Sequence, residues 1–192
     1  MDVTRNDVER MIDASLGATP APTLGQVEEF VRKTLDYDFA TTLTEPFFIR
    51  GNAEILHQAG KQLVSVISYP LGGMTHEAKL YQARKALKDG ADELDISMDV
   101  SAFKSGRYEY VKEELKPFVD MMEVIYFASL LTVDEQLRAA EMAIELGIPY
   151  LKTNTGFGFV TTTDQVKLIK DHYHDAIKVM TSGGVRTRED AA

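Results

Sequence analysis

The feature that most constrains the fold is a repeated alternation of short β-rich segments and amphipathic helical segments. Several β-rich segments carry Val and Ile without strict polar alternation, which is typical of parallel strands that are covered on both faces. Short connections between strands and helices indicate an α/β protein with a parallel sheet. The seven predicted strands are residues 11–16, 39–44, 62–68, 93–98, 123–128, 150–153 and 176–181.

The ends of the predicted helices carry capping residues. Thr132 with Glu135 three residues later has the spacing of a capping box, in which each residue bonds the other's backbone N–H. Gly90 and Gly147 each lie between a helix and a strand, where glycine supplies the left-handed cap conformation. The predicted helices are residues 24–35, 76–88, 107–119, 132–146 and 164–172, with the start of a last one at 186–192.

Seven strand-helix units predict a TIM-type (β/α)8 barrel that is truncated after strand seven, because eight units close such a barrel. A doubly wound sheet is the alternative, although no Gly-x-Gly-x-x-Gly sequence follows the first strand. We expect residues 1–192 to form one barrel domain, incomplete at its C-terminus, with unpaired edges at strands one and seven. A shortened chain, an incomplete gene product or a partner that supplies the eighth strand would each explain the missing unit.

Composition narrows the classes of function. The 192 residues include 44% hydrophobic and 27% charged residues, as in soluble globular proteins. No apolar run approaches the ~20 residues of a membrane span, and the net charge of -9 disfavours nucleic-acid binding, which needs a basic surface. The absence of cysteine and a polar N-terminus favour the cytoplasm.

A lysine stands where the sixth predicted strand ends, in Ile148-Pro-Tyr-Leu-Lys-Thr-Asn-Thr-Gly-Phe-Gly158. Burial among apolar neighbours would disfavour the charge of Lys152 and lower its pKa. A neutral amine is a nucleophile toward carbonyl groups. The alternative is a strand-end lysine whose ammonium extends into solvent.

Other polar residues are predicted at the same edge, since barrel enzymes carry their chemistry at the C-terminal ends of the strands. Asp95 alternates with Leu94 and Ile96, so it faces the barrel interior if those two pack under the helices. A buried carboxylate needs a partner, and Lys152 is the candidate, with backbone donors as the alternative. Asp13 on strand one and Lys178 on strand seven are possible auxiliary residues.

A turn of small residues follows the seventh strand, in Met180-Thr-Ser-Gly-Gly-Val-Arg186. Backbone N–H groups of such a turn, at the start of a helix, can hold a phosphate group. We therefore predict a phosphate site at Ser182, Gly183 and Gly184, with Gly156 as a further contributor. No metal site is expected, because the four histidines lie in or beside helical segments.

Five phrases of the chain, in order, resemble the deoxyribose-phosphate aldolases, which are class I barrel enzymes. They are Pro70-Leu-Gly-Gly73, Gly90-Ala-Asp-Glu-Leu-Asp95, Leu130-Leu-Thr132, Lys152-Thr-Asn-Thr-Gly-Phe157 and Ser182-Gly-Gly-Val-Arg-Thr187. The resemblance implies cytoplasmic deoxyribonucleotide catabolism by cleavage of 2-deoxyribose 5-phosphate to glyceraldehyde 3-phosphate and acetaldehyde, without a metal or organic cofactor. It implies that Lys152 forms the imine and that Asp95 belongs to the proton relay.

The chain departs from the family pattern at three strand ends. Met180 stands where the family has a second lysine, which keeps the first one neutral by like-charge repulsion. Lys178 faces the same way but lies about 6.6 Å lower along the strand. On strand five the family's Lys-Val-Ile-x-Glu-Thr reads Glu123-Val-Ile-Tyr-Phe-Ala128, and near strand two its Asn-Pro reads Glu45-Pro46.

These departures predict reduced aldolase efficiency and leave two alternatives open. The chain could be a barrel that binds phosphosugars without catalysis, or a Schiff-base lyase for another aldehyde or ketose substrate. The expected partner is a small phosphorylated sugar or aldehyde, not a nucleic acid or a membrane. A homo-oligomer is a further possibility, because an open sheet edge favours association.

Overall fold

The computed structural model describes residues 4–16, 19–187 and 190, and these contain seven strands and eight α-helices. The strands are β1 (Asp13–Ser15), β2 (Thr41–Thr44), β3 (Gln62–Ile67), β4 (Glu93–Ser97), β5 (Met122–Ile125), β6 (Tyr150–Lys152) and β7 (Lys178–Met180). The helices are α1 (Arg5–Glu9), α2 (Leu24–Thr34), α3 (Ile49–Gln58), α4 (His76–Asp89), α5 (Val100–Lys104), α6 (Tyr108–Leu115), α7 (Val133–Leu146) and α8 (Thr163–Tyr173). Short 3-10 helices occupy Pro46–Phe48, Lys116–Met121 and Ala128–Leu130.

All seven predicted strands are present, and each of them is shorter than predicted at one or both ends. The helix predicted at 107–119 is wrong in its second half, because α6 ends at Leu115 and a 3-10 helix follows. Pro117 explains the change, since proline lacks an N–H and disfavours helical geometry in the residue before it. Helices α1, α3 and α5 were not predicted. The helix predicted at 186–192 falls partly outside the described residues.

Capping explains where several helices begin and end. Thr132 and Glu135 form the predicted capping box of α7. Helix α8 has the same arrangement, formed by Thr162 and Gln165. Gly147 ends α7 in the left-handed conformation (φ 74°), as its place in the sequence predicted. The strands that follow these helices therefore start at defined positions.

The chain divides into two compact units, and the prediction of a single domain stays a prediction. The first unit comprises residues 4–67, without 17 and 18, and 77–94. In it β1, β2 and β3 pair in parallel, with Asp13 opposite Thr41 and Thr41 opposite Gln62. Its core consists of apolar side chains from strands and helices, among them Val27, Val31, Ile49, Leu56, Leu63, Ile67, Ala83 and Leu94.

The second unit comprises residues 68–76 and the described residues from 95 onward, and it contains the predicted catalytic residues. The N–H of Met98 donates to the carbonyl of Ile125 (3.1 Å), which links the end of β4 to β5. Strands β5, β6 and β7 then pair in parallel, so that Ile125, Lys152 and Met180 stand side by side. Carboxyl ends of neighbouring strands thus lie at one edge. Across the described parts of the chain, no helix has the length and apolar character needed to cross a membrane.

The Pro70-Leu-Gly-Gly73 turn of this unit needs glycine at one position. Gly72 has a φ of 72°, and a Cβ atom built there would lie 2.0 Å from the carbonyl oxygen of Met98. No side chain fits at that distance, and L-residues rarely adopt that φ. Gly72 therefore allows the turn to pack directly against the backbone after β4.

Candidate active site

Lys152 is the last residue of β6 and is buried. Its side chain is 7% exposed, and its carbonyl accepts a hydrogen bond from the N–H of Tyr126 (3.1 Å), which follows β5. Parallel neighbours on both sides fix the backbone, so the side chain leaves the strand in a defined direction. The structure thus places the predicted nucleophile inside the second unit rather than in solvent.

Asp95 on β4 forms an ion pair with Lys152. The distance from Asp95 Oδ2 to Lys152 Nζ is 2.7 Å, and the aspartate side chain is 2% exposed. Leu94 and Ile96 are buried on the opposite face of the strand, which is the arrangement that the alternation predicted. A separation of 2.7 Å allows direct proton transfer between the two groups.

A second carboxylate, which the sequence analysis did not select, also reaches the amine. Glu123 Oε2 lies 3.5 Å from Lys152 Nζ, and the glutamate side chain is 6% exposed. Glu123 precedes Ile125 by two residues on β5, and Ile125 is in register with Lys152. Because side chains alternate along a strand, Glu123 and Lys152 point to the same face. The strand pairing is the signal that could have identified Glu123.

The electrostatics of this cluster differ from the sequence expectation. Burial of Lys152 disfavours its charged form, whereas two anions within 3.5 Å favour it. Tyr126 and Phe127, which follow β5, are fully buried. Burial raises the pKa of the Tyr126 hydroxyl well above its ordinary value. Two opposing effects therefore act on the Lys152 amine: burial favours its neutral form, and the two carboxylates favour its ammonium form.

The end of β7 supplies no second cation beside Lys152. Met180 is in register with Lys152, and Lys178 is in register with Tyr150, one step earlier on the same face. The ammonium of Lys178 is exposed and donates to the Tyr150 hydroxyl (3.2 Å). Its ring contact with Tyr150, 4.8 Å from the centroid, holds it there. Lys178 is thus on the same face of the sheet as Lys152, but its ammonium contacts Tyr150.

Asp13 lies in the first unit, on β1. Its Oδ1 accepts a hydrogen bond from the hydroxyl of Thr41 on β2 (2.6 Å). This contact joins two neighbouring strands. An auxiliary catalytic role for Asp13 stays a prediction.

The loops after β6 and β7 pack closely together, around the predicted phosphate residues. Gly183 has a φ of 90°, and a Cβ atom there would lie 2.6 Å from the carbonyl oxygen of Phe159 and 3.0 Å from the nitrogen of Gly156. Glycine is needed for this approach. The N–H of Ser182 donates to Thr153 Oγ1 (2.9 Å), so a phosphate contact from Ser182 would come from its hydroxyl. Gly184 adds a second left-handed residue (φ 99°).

Metal ligands are not gathered anywhere in residues 4–16, 19–187 and 190, where no group of three His, Asp or Glu side chains could hold an ion.

Comparisons with known proteins place this geometry in context. No family model matches the chain. It is 35% identical over 190 residues to the deoxyribose-phosphate aldolase of Staphylococcus carnosus, covering 96% of this chain and 86% of that protein. It is 34% identical over 194 residues to the deoxyribose-phosphate aldolase of Thermoanaerobacter, with the same coverage of both chains.

Solved structures give the same result. A structure described as QR15, an aldolase, is 36% identical and superposes with a TM-score of 0.89 over 96% of this chain and 85% of its own. The tetrameric deoxyribose phosphate aldolase of Aeropyrum pernix is 27% identical, with a TM-score of 0.88 over 97% of this chain and 81% of its own. The α/β, TIM-type fold class with seven strands is thereby confirmed.

Proposed function

The chain belongs to the deoxyribose-phosphate aldolase family, and on that premise we propose that it is a class I aldolase whose Schiff base forms on Lys152. The proposed reaction is the reversible cleavage of 2-deoxyribose 5-phosphate to glyceraldehyde 3-phosphate and acetaldehyde. It needs no metal or organic cofactor. The observation that carries the proposal is the buried amine of Lys152, 2.7 Å from the buried carboxylate of Asp95.

The chemistry requires an amine that can lose a proton and a base that can take it. Asp95 accepts a proton from the Lys152 ammonium, and the neutral nitrogen attacks the substrate carbonyl carbon. Loss of water gives an iminium ion. A base then removes the proton of the hydroxyl on carbon 3, and that oxygen becomes the carbonyl of glyceraldehyde 3-phosphate, which leaves as the bond between carbons 2 and 3 breaks. The electron pair of this bond enters the iminium, which becomes a neutral enamine. Protonation and hydrolysis then release acetaldehyde and the free amine.

The phosphate group of the substrate is assigned to the loops after β6 and β7. Gly156, Gly183 and Gly184 contribute backbone N–H groups, and Ser182 contributes its hydroxyl, as local positive potential for an anion. An acidic protein can carry such a site, because the local field of a pocket decides binding. We further propose a cytoplasmic location and assembly as a homo-oligomer.

A phosphosugar-binding protein with weak or no turnover is the second candidate. The observation that favours it is the charge set around Lys152, where two carboxylates stabilise the ammonium and Met180 brings no repelling cation. A Schiff-base lyase with another aldehyde or ketose substrate is the remaining alternative, suggested by Phe127 and Ala128 after β5.

Reductive trapping tests the proposal. Protein is treated with acetaldehyde and borohydride, and peptides are examined by mass spectrometry for an N-ethyl group on Lys152. We expect the adduct to be absent in Lys152→Arg, which keeps the charge. We expect it to form also when 2-deoxyribose 5-phosphate replaces acetaldehyde, because cleavage of that substrate leaves the same two-carbon imine on the lysine. Lys178→Arg is the matched control, because residue 178 shares the face of the strand pair, and it should still be trapped at Lys152.

A direct turnover assay separates the alternatives. Release of acetaldehyde from 2-deoxyribose 5-phosphate should fall by at least about 1,000-fold in Lys152→Arg, because the nucleophile is lost. Phosphosugar binding without turnover, unchanged by Lys152→Arg, would favour the binding protein. Trapping at Lys152 with other aldehydes or ketoses, but no turnover of deoxyribose phosphate, would favour a different substrate.

A further inference from the structure

Two carboxylates lie beside the Lys152 amine, although a lysine that acts as a nucleophile must first lose its own charge. Glu123 Oε2 lies 3.5 Å from the amine nitrogen, and its side chain is 6% exposed. A carboxylate removed from water to this extent is expensive unless opposite charge compensates it. The Lys152 ammonium supplies that compensation at ion-pair distance.

Resting on the Schiff-base function proposed above, we propose that Glu123 tunes Lys152: its carboxylate holds the resting amine in its cationic form and stabilises the cationic iminium that forms on the same nitrogen. Glu123 touches the reacting atom, whereas Asp95, which is closer at 2.7 Å, exchanges the proton. The two carboxylates therefore divide two tasks between them.

Other ionisable groups lie on the neighbouring strands β4, β6 and β7 of the second unit. Asp95 adds a further negative charge from β4. Tyr150 on β6 and Lys178 on β7 bond each other, with the Lys178 ammonium 3.2 Å from the tyrosine hydroxyl. Met180, in register with Lys152, is uncharged. The amine thus faces two anions, while the Lys178 charge is directed to Tyr150.

The balance of protons explains why a permanent anion is useful here. The ammonium gives one proton to Asp95, and the nitrogen lone pair forms the C–N bond while the carbonyl π pair moves to oxygen. A second proton passes from nitrogen to that oxygen, and the proton on Asp95 returns as the oxygen leaves as water. The nitrogen carries one positive charge before and after these steps, and it is neutral only between them. Glu123 therefore stabilises the starting ammonium and the final iminium, and it does not stabilise the neutral amine or the neutral carbinolamine between them.

Removal of the Glu123 charge should therefore have two opposite effects. The neutral amine becomes available at lower pH, so the acid limb of the pH profile of kcat/KM shifts to lower pH. The iminium loses a counter-charge, so less of it accumulates at pH values above that limb. If Glu123 had only a structural role, its replacement would lower kcat/KM and the amount of iminium together, without shifting the acid limb to lower pH.

The test compares Glu123→Gln with Glu141→Gln, the same change in an exposed ion pair of α7 with Arg138. In Glu123→Gln we expect the acid limb to move about 1 to 3 pH units lower, the usual effect of one neighbouring charge. Above the limb, the fraction of Lys152 trapped by acetaldehyde and borohydride should fall about tenfold, which corresponds to one pH unit. Glu141→Gln should change neither quantity.

An unmoved acid limb, or a limb that moves to higher pH, in folded Glu123→Gln would overturn the proposal. Heteronuclear NMR of isotopically labelled lysine in the wild-type protein, assigned with Lys152→Arg, tests it without a folded Glu123 variant and without turnover. We expect the Lys152 signal to remain that of an ammonium at pH 7, and a neutral amine at that pH would overturn the role of Glu123. Absence of any Lys152 adduct in the wild type would instead contradict the Schiff-base function.

Discussion

The ends of β6 and β7 are neighbours in register, but they differ in burial, in hydrogen bonding and in charge. After β6, residues Thr153, Asn154 and Thr155 are buried and held by side-chain hydrogen bonds. After β7, Thr181 and Gly184 are exposed, and the strand ends in an uncharged methionine. One end presents a buried cation with two carboxylates, and the other presents a glycine turn.

Under the proposed function, the first strand end carries the reactive amine and the second binds the phosphate group, and the two tasks need different structures. A reactive amine must be held at a fixed distance from its base, which dense packing and hydrogen bonding provide. A phosphate-binding turn needs accessible backbone N–H groups and left-handed residues. Because Met180 carries no charge, the charged groups beside Lys152 come from β4 and β5 and not from the end of β7.

The largest expected effect of a single change around the β6 end, beyond loss of the lysine itself, comes from Asp95→Asn on the neighbouring cluster residue of β4. The amide cannot accept the ammonium proton, and kcat should fall by about 100- to 10,000-fold, the usual contribution of a general base. Turnover of 2-deoxyribose 5-phosphate measures it. The matched control is Asp164→Asn, in the exposed first turn of α8, which should keep wild-type kcat. Asp95→Asn with more than half of wild-type kcat would assign the proton relay to another group.

Much of the fold could be predicted because the relevant signals are local. Capping residues and Val-rich or Ile-rich runs located all seven strands and five of the helices. Helix α3 escaped prediction because it follows a 3-10 turn and has no side-chain cap. The pairing of Asp95 with Lys152 could also be anticipated, since alternation with buried Leu94 and Ile96 fixes the direction of the aspartate.

The position of Glu123 beside Lys152 could not be predicted from local sequence. A glutamate at the start of an apolar run usually marks the solvent-exposed beginning of a strand. Only the pairing of Ile125 with Lys152 shows that Glu123 faces the amine. The direction of the Lys178 ammonium toward Tyr150 likewise depends on the register of β6 and β7. Strand pairing is a tertiary property, and period-two alternation within one strand does not determine it.

A smaller effect is expected when a lysine replaces Met180 at the end of β7, the position at which the family has its second lysine. In Met180→Lys, a second cation beside Lys152 would disfavour its ammonium. The acid limb of kcat/KM should move to lower pH by about 1 pH unit, since Met180 is only half-buried and solvent screens the repulsion. Met180→Leu keeps the volume without charge and should leave the limb in place. A limb that rises in Met180→Lys would mean that the new ammonium pairs with a carboxylate and removes it from Lys152.

The smallest effect concerns the hydrogen bonds that join the two strand ends. Thr153 Oγ1 donates to the carbonyl of Ser182 (3.1 Å) and accepts from its N–H (2.9 Å). Thr153→Val keeps the shape but removes this acceptor from the Ser182 N–H, so the free energy of unfolding should fall by about 1 to 3 kcal/mol. Thr181→Val, the same change at an exposed neighbour, should alter it by less than about 0.5 kcal/mol. Urea unfolding of the two variants measures the difference. If Thr153→Val and Thr181→Val had the same free energy of unfolding, the turn after β7 would not depend on its hydrogen bonds to Thr153.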